Sequence, residues 1–104
     1  MRVLFDQGTP APLRQALGEH AVSTVYELGW AELDNGRLLK TAQEGFDLLL
    51  TTDQNLQHQQ NLSDIALAIL VLPTTSWPRI QRHVSEVVTA VNTLRPGEYR
   101  ELRF

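Results

Sequence analysis

The apolar positions of this chain fall into short unbroken runs and helical stripes that alternate along its length. The runs lie within residues 2–6, Phe46 to Thr52 and Ile65 to Leu72, each bounded by turn residues. Unbroken apolar runs of strand length are what a sheet covered on both faces requires. Ala21 to Leu28 makes a further strand, because its Val22-Ser23-Thr24-Val25-Tyr26 is rich in β-branched residues, which favour strands. The stripes are Leu13, Ala16 and Leu17; Leu38, Leu39 and Ala42; and Trp77, Ile80, Val84, Val87, Val88, Val91 and Leu94. Each follows a helix start signal: Thr9 as N-cap with Pro10 at the first position, Asp34 as N-cap, and Ser76 as N-cap with Pro78 in the first turn. Gly18, Gly45 and Arg95-Pro96-Gly97 mark their ends. Asp53 to Asn61 reads as a polar turn or short helix, and the alternating tail Glu98 to Phe104 as an edge strand.

Strands alternating with helices predict an α/β protein: a three-layer α/β/α sandwich around a mainly parallel sheet of four to five strands. Right-handed crossovers with helices on opposite faces give the order 2-1-3-4, with the reversal between the first and third strands. No repeat or linker divides residues 1–104, which read as a single domain.

Composition narrows the function classes. The 104 residues are 42% hydrophobic, enough for a globular core. There is no cysteine, which excludes disulfides and thiolate metal sites and fits a reducing, cytoplasmic location. The longest apolar run, Ile65 to Leu72, is far shorter than the roughly 20 residues of a membrane helix, so no membrane partner is expected. The net charge of −3 argues against non-specific nucleic-acid binding. The cations are almost all arginine, with Lys40 the one lysine, and arginine forks suit phosphate wherever they cluster. No GxGxxG, phosphate loop or nucleophile elbow occurs, and His20, His58 and His83 lack metal-ligand spacing.

Two of the runs end on an aspartate, Asp6 and Asp53. Ligands of open α/β sheets bind beyond the carboxyl ends of the strands at the order reversal, where these two carboxylates converge. Such a pair suits a divalent cation such as Mg²⁺, which takes oxygen ligands. For Asp6 the competing role is an Asx turn or helix cap, although Thr9 is better placed to cap. For Asp53 it is the N-cap of the segment that follows; Thr51 and Thr52 beside it offer hydroxyls for phosphate or water. Asp34 serves first as an N-cap whose carboxylate can also face the crevice. Glu27 and Glu32 are candidates for an acidic rim, and Trp30, in a loop, for a partner surface.

Val3-Leu4-Phe5-Asp6-Gln7-Gly8-Thr9-Pro10, then Glu27-Leu28-Gly29 with Asp34 opening a helix, then Leu49-Leu50-Thr51-Thr52-Asp53, resemble the short PIN-like domain family. That family is related to PIN-domain nucleases, including the toxin ribonucleases of toxin–antitoxin pairs. The resemblance implies a metal-dependent ribonuclease with Asp6 and Asp53 as catalytic residues and Asp6, Asp34 and Asp53 as ligands of Mg²⁺ or Mn²⁺. It further implies an RNA substrate, a small antitoxin protein as partner, and a homodimer. Gln7 and Gly8 stand where relatives commonly carry glutamate and asparagine, and no fourth acid is evident. The alternative is therefore a weakly active or inactive PIN-like module that binds a protein.

Overall fold

A computed structural model describes residues 1–104. In chain order its elements are β1 (Arg2–Phe5), α1 (Leu13–Ala16), β2 (Ala21–Thr24), α2 (Asn35–Ala42), β3 (Leu48–Thr51), α3 (Leu56–Gln59), β4 (Ala68–Val71), α4 (Trp77–Gln81), α5 (Val84–Thr93) and β5 (Tyr99–Glu101). The five strands are all parallel and lie in the order β2-β1-β3-β4-β5. The predicted order holds, and the tail adds the fifth strand at the β4 edge.

Alternation along the strands divides the core into two layers. Val3, Phe5, Leu48, Leu50, Ala68 and Leu70 pack with Leu13 and Leu17 on one face, under Ile80, Val87 and Val91. Leu4, Leu49, Ile69 and Val71 point the other way, against Leu38, Leu39 and Ala42 of α2 and Leu56 of α3. The fold is thus a three-layer α/β/α arrangement, with α1, α4 and α5 on one side and α2 and α3 on the other. No helix is long and apolar enough to cross a membrane.

Several element ends differ from the pattern reading, each for a reason visible in the bonding. The second strand stops at Thr24 rather than Leu28, because Thr24 and Glu27 form a reciprocal capping box. Thr24 Oγ1 accepts from the Glu27 N–H at 3.1 Å, and the Glu27 carboxylate accepts from the Thr24 N–H at 2.8 Å. Thr9 does not cap a helix; its hydroxyl donates to the Leu50 carbonyl at 3.1 Å, and α1 starts only at Leu13, with Pro12 at its N-cap position. Gly8, at φ +84°, makes the turn that carries the chain there. Asp34 does cap α2, accepting from the Arg37 N–H at 2.9 Å.

The single long helix predicted after Ser76 is two helices. The His83 N–H bonds back to the Ile80 carbonyl at 2.8 Å, a tighter three-residue turn, and its ring stacks on Phe104 with centroids 4.3 Å apart. Trp30 is not a free surface ring: it is half-buried and packs edge-on against Phe46 at 6.1 Å.

Leu70 lies on β4 with no solvent exposure. Leu70→Ala is expected to cost about 2–5 kcal/mol, the range for a buried leucine truncated in a close-packed core, read as a fall in the urea midpoint with an unchanged slope.

Candidate functional site

The β1–β3 pairing sets the site. Phe5 is in register with Leu50, and the Asp6 N–H continues the ladder to the Leu50 carbonyl at 2.9 Å. The next positions are therefore Asp6 and Thr51, whose side chains share the face that carries α2 and α3. Thr51 is the one polar side chain among the fully buried residues. Its hydroxyl donates to Asp6 Oδ2 at 2.8 Å and accepts the Asp53 backbone N–H at 3.1 Å. One buried hydroxyl thus ties the first carboxylate to the backbone that carries the second.

Each carboxylate is held through both oxygens. Asp6 Oδ1 accepts from the Gln7 N–H at 2.8 Å. Asp53 Oδ1 accepts from the Asn55 N–H at 2.9 Å, an Asx turn, and Asp53 Oδ2 from the Asn35 side-chain amide at 2.9 Å. Asn55, not Asp53, occupies the N-cap position of α3. An ionised carboxylate offers about four lone-pair positions, so both residues keep acceptor capacity beyond these bonds. None of the four ion pairs of the protein involves either aspartate.

The electrostatics follow. Burial raises the Asp6 carboxyl above its ordinary value, the bonds from Thr51 and Gln7 pull it down, and the Asp53 charge pushes it up again. Tyr99 of β5 is raised as well, first by burial, then by its hydrogen bond to Glu101 and by the charges of Glu101 and Asp53. The field of Asp53 therefore reaches Asp6 on one side and Tyr99 on the other. Tyr99 Oη donates to Glu101 Oε2 at 2.8 Å, an oxygen that also accepts from Gln57 at 3.2 Å, while Arg103 pairs with the other oxygen.

Asp6 and Asp53 are thus brought together, and Asp34 is not added to them. Its carboxylate caps α2, and no three His, Cys, Asp or Glu side chains are grouped to share a metal ion. Glu27 is committed to its capping box and to Arg14, whose guanidinium holds its carboxyl below the usual range. Glu32 and His58 are exposed. Thr51 serves as a buried link rather than as an open hydroxyl. Asn35, Tyr99 and Glu101 escaped the sequence reading. The i, i+2 spacing of Tyr99 and Glu101 put them on one face of a strand, but nothing local said which face.

The largest surface cleft, about 310 Å³, lies beside the aspartate pair rather than on it, lined by residues that include Asp34, Gly36, Arg37, Lys40 and Gln60. No family model, curated protein or solved structure matches this chain.

Because the native state holds the Asp6 proton to higher pH than the ordinary 3.8, it binds more protons than the unfolded chain just above that value. Stability contributed at Asp6 then falls as pH rises through the raised value. In metal-free buffer Asp6→Asn is expected to be more stable than wild type at pH 7, with the gap closing below about pH 4. Thermal melts across pH 3–8 read this directly. Thr51→Val should have the opposite effect at pH 7, costing about 1–3 kcal/mol for the orphaned partners.

Proposed function

We propose that Asp6 and Asp53 hold a divalent cation, Mg²⁺ or Mn²⁺, and that the protein is a PIN-like metal-dependent ribonuclease. The observation that carries this reading is a pair of neighbouring carboxylates, one of them largely buried, that no cation of the protein neutralises. Hard oxygen donors with spare lone pairs suit these ions. The resemblance of the Asp6 and Asp53 segments to the PIN-like family supplies the reaction class.

When bound, the cation would activate water and stabilise charge developing on a phosphodiester. The rest is work of the chain itself. Thr51 fixes the rotamer of Asp6 and anchors the Asp53 backbone, while Asn35 and the Asn55 N–H orient the Asp53 carboxylate. Neutral donors do this without filling the site with positive charge, so the oxygens stay available. Asp34, the third ligand implied by the resemblance, acts in this reading as the α2 cap. The toxin role with a small antitoxin rests on the resemblance alone and is tested by growth arrest on expression.

The second reading, a PIN-like module that binds a protein without catalysis, is favoured by the absence of a third acid in the group. Calorimetric titration with Mn²⁺ and cleavage of a fluorogenic RNA separate the two. Wild type is expected to bind Mn²⁺ saturably and cut RNA, Asp6→Asn and Asp53→Asn to lose both, and Asp34→Ala to retain Mn²⁺ affinity while losing about 1 kcal/mol of stability as a cap. Intact RNA with either metal, together with no saturable heat, would sink the nuclease reading.

A further inference from the structure

We propose that the cleft between α2 and the chain following α3 is a binding subsite for the sugar–phosphate backbone of single-stranded RNA, held by Arg37 and Lys40. The identity of the ligand rests on the nuclease reading above; the site itself rests on separate observations.

The first is charge. Arg37 and Lys40 line the cleft, are exposed, and take part in none of the protein's ion pairs. They sit three residues apart on α2, hence on one face of the helix. In a chain of net charge −3, two unpartnered cations converging on one concavity form a local reversal of sign. The one acid in the lining, Asp34, has a carboxylate oxygen occupied by the Arg37 N–H.

The second is shape. Gly36 stands in the first turn of α2, where glycine is worth about 1 kcal/mol less than alanine in a helix interior. A Cβ there would come within 3.2 Å of Gln60 Oε1 and 3.5 Å of Asp34 Oδ1. The missing side chain lets the Gln60 amide pack close against the first turn of α2 at the edge of the cleft. The remaining polar lining, Gln60 and Asn61, supplies neutral amides that can donate to phosphate or ribose oxygens.

The third is position. The cleft begins one residue along α2 from Asn35, the residue whose amide holds Asp53. In the nuclease reading, a strand whose scissile phosphate lay at Asp6 and Asp53 would run on past Asn35 to the cleft at the start of α2. The cations thus lie beside the carboxylates and do not compete for their lone pairs.

The test is fluorescence anisotropy with a labelled single-stranded hexaribonucleotide, in EDTA, in the Asp6→Asn background so that neither cleavage nor metal contributes. Arg37→Gln with Lys40→Gln is expected to weaken binding at least tenfold at low salt. It should also flatten the slope of log K against log[salt] by about 1.4, the value for two phosphates on a single strand. Arg82→Gln with Arg95→Gln, exposed cations outside the cleft, controls for general attraction. Equal losses in both double variants, no loss in the first, or no RNA binding by the parent would each overturn the subsite. If the cleft variant alone loses RNA while wild type shows no saturable Mn²⁺ binding, the subsite stands and the metal-dependent reading falls.

Discussion

The side-by-side pairing of β1 with β3 is the constraint on which the rest of the molecule depends. Val3, Leu4 and Phe5 are fully buried, as are Leu48, Leu49 and Leu50, so both strands need cover on both faces and a neighbour on each side. Neither can sit at a sheet edge without exposing part of that run. The edges go to β2, whose side chains are partly exposed, and to the three-residue β5. With those positions filled, the chain must leave β1 in one direction and return to place β3 on its other side, and the reversal of strand order falls between them. Asp6 and Thr51 then stand next to each other on one face. Side chains alternate with period two, so a slip of one residue would turn Leu4 or Leu49 to the wrong layer. The packing of the two cores therefore also fixes the position of the carboxylate.

What the sequence made legible follows from the same physics. The three central strands were readable because doubly buried strands must be written as unbroken apolar runs, and Asp6 and Asp53 because they follow two of those runs. Some element boundaries were not, because contacts distant along the chain set them. Thr9 reads as a cap until its hydroxyl meets the carbonyl of Leu50, 41 residues away. The last helix reads as one piece until His83 stacks on Phe104. In the site, the amide of Asn35 reaches Asp53 only because α2 docks with its first turn over the end of β3. Asp34, one residue earlier, reads first as an N-cap, and its carboxylate does cap α2. Local backbone demand outranked the remote site, as the preference of aspartate for N-caps implies.

The distribution of positive charge carries the functional argument further than the distribution of negative charge does. If Asp6 were only a structural acceptor for Thr51 and Gln7, a neutral side chain would serve without a charge to bury. If the aspartates were a structural charge pair, a guanidinium from one of the eight arginines would be the ordinary means of neutralising them. Arg14, Arg100 and Arg103 instead pair with Glu27, Glu98 and Glu101, and Asp53 is met by an uncharged amide. Arg37 stands two residues from Asn35 on α2, a spacing that puts the two side chains on different faces of the helix. Its guanidinium lines the adjacent cleft with Lys40 instead. Under the proposed function, a surface that keeps its cations beside its carboxylates, and satisfies the carboxylates with neutral donors, suits a metal ion bound together with a polyphosphodiester: a cation for the acids and an anion for the bases.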